Sequence, residues 1–289
     1  MIKKIEKIIS RPSTAGMVGD GFRVYNYLPG SGISQQRLSP FLMLDFNAEY
    51  DFGPSETLLG VGVHPHKGFE TVTIAYKGSV AHHDSAGNSG VIHPGDVQWM
   101  TAGAGILHKE YHEQEFNRTG GPFEMVQLWV NLPKKDKLTP ARYKPILKEK
   151  IKRIDLPGEQ GLVNVIAGNF NGAVGTADTF SPVNLFDIKL RTGGRVGFSL
   201  NQDYNTAILL INGSAQVNGE VAVEHSLILF KNEGEEISIT ALTDCVLLVL
   251  SGEDLNEPIA SYGPFVMNTQ EEIRESIQEF RSGKFGILA

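Results

Sequence analysis

The sequence predicts an all-β protein built from two β-barrels in tandem with one short helix near the C-terminus. Three observations carry this prediction. Short β-branched and aromatic runs fill the chain between turn residues. One of these segments recurs in the second half of the chain. A single stretch near the end switches to helical periodicity.

The runs are FRVYNYL, ETVTIAY, GDVQWMT, MVQLWVNL, VNVIAG, NLFDIKL, TAILLI, HSLILF, EISITAL and CVLLVLSG, and the 32 glycines are spread among them. Strands of this length with Gly, Asn and Pro between them belong to sandwiches and barrels. Asn-Gly at 212–213 and at 218–219 is a hairpin-turn signal. Laid over one another without a gap, ETVTIAYKGSV (70–80) matches NTAILLINGSA (205–215), so Thr71 meets Thr206 and Gly78-Ser79 meets Gly213-Ser214. A slightly shorter following loop brings His93 of HPGDVQWM opposite His225 of HSLILFKN. The charged, proline-bearing stretch 133–157 reads as the crossing between two halves. The expected division is 1–133, a linker at 134–160, and 161–289. In NTQEEIRESIQEFRSGKFG, Thr269 caps with Glu272 as its capping-box partner, Ile273, Ile277 and Phe280 share a face, and Gly283 ends the helix.

Composition bounds the function. The 289 residues are 41% hydrophobic and 20% charged, as in an ordinary globular protein. The net charge of −7 argues against a dedicated nucleic-acid surface, and the lysines of MIKKIEKII read as a solvated edge strand. One cysteine, Cys245 in an apolar run, makes no intrachain disulfide and reads as a buried thiol. With no signal-peptide pattern or membrane-length apolar stretch, the expected location is the cytoplasm, without membrane association. Two fused barrels satisfy each other's edges, so a monomer is expected.

The chemistry lies in GVHPHKGFE (62–70) and ILHKEYH (106–112). Residues i and i+2 of a strand point to one face, so His64 projects with His66 and His108 with Glu110. Two neighbouring strands can bring both pairs to one interior point. Three neutral imidazoles and a carboxylate suit a divalent first-row metal and leave coordination positions open. A closed structural zinc site would more often use thiolates, which this chain lacks. The repeat supplies a control: the four positions correspond to Ser199, Asn201, Thr240 and Leu242. The second copy keeps the scaffold and loses the ligands. Glu70, His112 and one of His82 and His83 lie close enough to be weighed, and hydrogen-bonding or surface roles suit them better. His93 reads as a turn residue and His225 as a strand-edge residue.

HPHKGFETVT (64–73), HPGDVQWMTAGAGILHKE (93–110), PFLMLDF (40–46), LWVNLP (128–133) and GPFVMNTQEEI (263–273) resemble the pirin family, bicupins of the cupin superfamily, over essentially the whole chain. Lys67 and His83 depart from residues common in that family, outside the inferred ligands. The resemblance implies two cupin, jelly-roll-like barrels, a metal-bearing one first and a metal-free one second. It implies His64, His66, His108 and Glu110 as ligands of one divalent ion, Fe(II) first, with Mn, Ni, Co, Cu or Zn as alternatives. Several members resemble quercetin 2,3-dioxygenases, which implies a flavonol and O2 as substrates and Glu110 as the catalytic base. Others resemble non-catalytic iron-binding regulators that contact a protein partner.

Overall fold

Every one of the β-branched and aromatic runs contains a strand in the computed structural model, which describes residues 1–288. The protein is mostly β, with two cupin barrels and a C-terminal helix. It divides into two compact units, one of Pro12–Gln36, Phe41–Lys148 and the chain from Asn256 onward, the other of Met1–Arg11, Arg37–Pro40 and Glu149–Leu255.

The first unit holds a seven-stranded sheet in the order Arg142–Ile146, Val97–Thr101, Phe69–Lys77, Gly121–Asn131, Phe41–Phe52, Phe22–Leu28, Gly16–Val18. The order in the second is Ile5–Ile9, Leu227–Phe230, Asn205–Asn212, Cys245–Gly252, Val183–Leu190, Gly161–Ala167, Lys152–Asp155. The repeat-matched strands Phe69–Lys77 and Asn205–Asn212 take the same place in both. Each unit adds a four-stranded sheet: Gly60–His66, Ile106–His112, Val80–Asp84, Ser89–Ile92 in one, and Arg195–Ser199, Glu236–Ala241, Ala215–Val217, Glu220–Ala222 in the other.

These units differ from the 1–133, 134–160 and 161–289 division. Strand pairing, not sequence order, decides membership. The N-terminal strand Ile5–Ile9 pairs with Leu227–Phe230 and belongs with the second barrel, as an edge strand. Residues 134–160 are no bare linker, because Arg142–Ile146 pairs with Val97–Thr101 and Lys152–Asp155 pairs with Gly161–Ala167. The helix Gln270–Arg281 belongs with the first barrel: Ile273 is buried with Ala260, Phe265, Met267 and Phe285. Its start is the expected capping box of Thr269 and Glu272.

Of the two Asn-Gly signals, only one makes a hairpin. Asn218-Gly219 joins Ala215–Val217 to Glu220–Ala222, with φ of 48° and 90° as a two-residue primed turn requires. Asn212-Gly213 instead carries the chain from the larger sheet to the smaller one, since the flanking strands pair with other partners. Cys245 is buried, and burial pushes its thiol up to about 11. Among the described residues no helix is long and apolar enough to cross a membrane.

Candidate metal centre

The strands Gly60–His66 and Ile106–His112 pair antiparallel with His64 directly opposite His108. Opposed residues share a face, as do residues two apart, so His64, His66 and His108 all project into the first barrel. A register shift between His108 and Glu110 sets Glu110 opposite Val61. On the other side, Val80–Asp84 places His82 opposite Glu110 and Asp84 opposite His108. The same register turns His83 outward, where its Nδ1 meets the Tyr111 hydroxyl at 2.8 Å.

The three imidazoles converge. Ring centroids lie 4.8 Å apart for His64 and His66, 4.2 Å for His64 and His108, and 4.6 Å for His66 and His108. One ring nitrogen from each lies within 4.8 Å of the others. Glu110 belongs to a second such group, with His108 and His82. The four expected residues are therefore neighbours through His108 rather than one equidistant set.

Burial and neighbouring imidazoles hold both His66 and His108 well below the usual histidine pKa, although the Pro264 carbonyl opposes this at His66. Both rings are thus neutral. His66 Nδ1 and His108 Nε2 are buried without a hydrogen-bond partner, a costly arrangement unless something fills the site. His64 Nδ1 donates to the Gly62 carbonyl at 2.8 Å. A carbonyl only accepts, so His64 Nδ1 carries a hydrogen and Nε2 is the nitrogen left for an ion. The donor set thus fits a transition metal: three imidazoles, two of them neutral with orphaned nitrogens and one whose Nδ1 is engaged by the main chain.

Glu110 is tethered by three neutral donors. Gln98 Nε2 and Thr73 Oγ1 donate to Oε1 at 2.8 and 3.3 Å, and Gln127 Nε2 donates to Oε2 at 2.8 Å. These donors belong to one polar row across five adjacent strands: Gln98, Thr73, Gln127, Asp45 and Asn26. The repeat sets Ile208 opposite Thr73, and the row through Ile208 reads Ile228, Ile208, Val249, Phe186 and Val165. All five of those side chains sit in the apolar core of the second barrel. The two barrels share a scaffold, but this row is polar in the first and apolar in the second.

Tyr143, from within the expected linker, stacks on His82 at 4.6 Å and donates to Gln98 Oε1 at 3.3 Å. Burial, with help from Glu110 and Asp84, pushes its phenol up to about 12. Phe69 and Trp129 wall the other side, edge-on to His66 at 5.0 and 5.2 Å. Sequence reading missed Gln98, Thr73, Gln127 and Tyr143. Gln98 and Thr73 both stand within quoted motifs and were open to discovery.

The remaining candidates lie elsewhere. His112 Nε2 donates to the Gly21 carbonyl at 2.7 Å inside an aromatic cluster with Phe22, Phe52 and Phe123. His93 occupies a turn, with its Nδ1 at 2.9 Å from Ser79 Oγ. His225 sits in the turn before Leu227–Phe230. Glu70 joins neither ligand group, because Gly68, at φ +88° and pressed on the Val266 carbonyl, interrupts strand parity after His66.

Glu70 is buried and accepts from Thr101 Oγ1 at 2.7 Å, yet burial raises it to about 7. Its folded pKa lies above its unfolded value, so the folded state binds the extra proton. Its stabilising contribution is complete below about pH 4.5 and is lost as pH rises through 7. Glu70→Gln should flatten this dependence, by about 3 kcal/mol between those limits. Denaturant melts at pH 5 and pH 8 read it; equal pH dependence in both proteins would refute it.

Comparisons with known proteins find relatives over nearly the whole chain. The Pirin family model matches residues 21–130, and the Pirin C-terminal cupin domain model matches residues 185–286. A Pseudomonas aeruginosa protein named "Putative quercetin 2,3-dioxygenase" is 47% identical over 268 residues, covering 93% of each chain. A crystal structure titled as quercetin 2,3-dioxygenase from Acinetobacter baumannii superposes with a TM-score of 0.94 at 46% identity, covering 100% of both chains. A bacterial pirin from Escherichia coli, solved in complex with nickel(II), shares the fold at 19% identity and a TM-score of 0.65, over 86% of this chain and 99% of that one.

Proposed function

The chain belongs to the pirin family, and from that premise we propose that it is a metal-dependent dioxygenase which opens the heterocycle of a flavonol such as quercetin with O2. His64, His66 and His108 would hold the ion, with Glu110 beside them as fourth ligand and catalytic base. Fe(II) is the ion we assign, with Mn, Ni, Co, Cu or Zn as substitutes. The observation that carries this reading is the meeting of three imidazoles, two of them neutral with orphaned nitrogens, beside a tethered carboxylate in the barrel whose inner row is polar where the other's is apolar.

When bound, the metal supplies Lewis acidity that lowers the pKa of a coordinated hydroxyl, and a place for dioxygen chemistry. The protein's own groups do the rest. Glu110 Oε2 accepts only one of the three tethering bonds, so one lone pair remains there, which would bind the ion or, once released from it, take the proton of the flavonol 3-hydroxyl. Gln98, Thr73 and Gln127 fix the direction from which the carboxylate meets that proton. Phe69 and Trp129 present apolar surface beside His66 and keep bulk water from it.

Anaerobic reconstitution with Fe(II), Mn(II), Ni(II), Co(II) or Cu(II), followed by quercetin under oxygen, tests the proposal. Loss of flavonol absorbance with release of carbon monoxide is expected for at least one metal. Tight metal binding without turnover for any of them would replace it with the other reading, a non-catalytic iron-binding regulator of a protein partner.

A further inference from the structure

We propose that Asp84 and His82 are positioning residues which set the tautomer of His108, so that its Nε2 presents a lone pair to the centre. The inference rests on the reading of His108 as a ligand.

It follows from counting protons along a chain of contacts. Asp84 accepts the main-chain N–H groups of Ala86 and Asn88 at Oδ1, at 2.9 and 3.0 Å. The Asn88 side-chain amide donates to Oδ1 and Oδ2, at 3.1 and 3.0 Å. His82 Nε2 meets Asp84 Oδ2 at 3.2 Å. A carboxylate holding these donors has no proton to give, so His82 Nε2 carries the hydrogen. A neutral His82 ring is part of the proposal, and with its single proton on Nε2 its Nδ1 is an acceptor. It lies 3.4 Å from His108 Nδ1, which therefore donates. The proton of His108 is spent on Nδ1. Its Nε2 is left bare, and that is the atom buried without a partner. Stacking of Tyr143 on His82, at 4.6 Å and 9° between planes, holds the relaying ring in plane. Carboxylate–histidine pairs fix tautomers in this way wherever the second nitrogen must stay free.

Asp84→Asn separates this role from a structural one. The N–H groups of Ala86 and Asn88 require an acceptor at the Oδ1 position, so the new amide keeps its oxygen there. Its nitrogen takes the place of Oδ2 and donates to His82 Nε2. The chain then inverts: His82 Nδ1–H donates to His108 Nδ1, and the His108 proton moves to Nε2, facing the centre. The main-chain bonds of the turn survive, the Asn88 amide keeps its bond to Oδ1 and gives up the one to Oδ2, and the ligand is blocked.

The test uses the full chain, metal-free and 15N-labelled at histidine, with long-range 1H–15N spectra to assign each ring's tautomer. Cobalt(II) titration and thermal melting follow on the same samples. Wild type should show His108 protonated at Nδ1 and His82 at Nε2. The folded variant should show both reversed, with cobalt affinity about 10–100-fold weaker. His108 protonated at Nε2 in wild type overturns the proposal even if the variant fails to fold. So does unchanged cobalt affinity in a folded variant. Wild type that binds no cobalt while showing the expected tautomers refutes the metal centre instead, and the proton relay stands.

Discussion

Replacing His66 with alanine abolishes stoichiometric metal binding, whereas replacing His93 leaves it intact. His66 is buried, its imidazole is neutral, and its Nδ1 has no protein partner. On its own side of the cluster no donor stands ready: Phe69 and Trp129 fill the space beside it, and Lys67 points its ammonium to Glu279. His93 shares the residue type but sits in a turn against Ser79. The same pair of variants separates lost ligation from lost folding. A metal held at 100 times its dissociation constant stabilises the folded state by about 2.7 kcal/mol. Wild type and His93→Ala should show that rise in thermal stability on adding metal, and His66→Ala should show none. A full metal-dependent rise in His66→Ala would remove it from the ligand set.

The second large effect is on stability. Lys137 is fully buried, and its ammonium donates to the Gly68 carbonyl at 2.8 Å, Asn131 Oδ1 at 2.7 Å and the Val266 carbonyl at 3.0 Å. Lys137→Met fills much the same volume but leaves three buried acceptors without their donor. Each such loss costs about 1–3 kcal/mol and the costs are not additive, so about 3–5 kcal/mol is expected. Chemical denaturation of the two proteins measures it; a loss under 1 kcal/mol would show that the carbonyls find other partners. Burial lowers Lys137 to about 7, against the pull of Glu257 and Glu272. The folded state thus binds fewer protons than the unfolded one between pH 7 and 10.5, so wild type gains stability as pH rises from 7 to 9, a slope the variant lacks. Gly68 lies two residues after His66, so one of the bonds lost in the variant is close to the centre.

What the sequence made legible were local signals with a single structural meaning. His64 and His66, and His108 and Glu110, obey the i, i+2 rule within single strands, and one antiparallel register joined three of the four. The repeat was legible because glycine turns and β-branched runs recur in register. What lay hidden depends on pairings no local pattern encodes. Whether His82 or His83 faces inward is set by its register against Glu110. The donors Thr73, Gln98 and Gln127 come from three strands distant in sequence, and amides and hydroxyls are too common to signal a site. Tyr143 reaches His82 only because part of the apparent linker became a strand. Membership of Ile5–Ile9 and Gln270–Arg281 in their units is likewise a matter of partners.

The convergence of His64, His66 and His108 on one ion is tested most directly by anomalous diffraction at the absorption edge of the reconstituted metal. One strong peak per chain is predicted, bonded to those three imidazoles and to Glu110, with none in the second barrel. A peak elsewhere in the chain, or a fully loaded protein whose three rings point away from the ion, would contradict it.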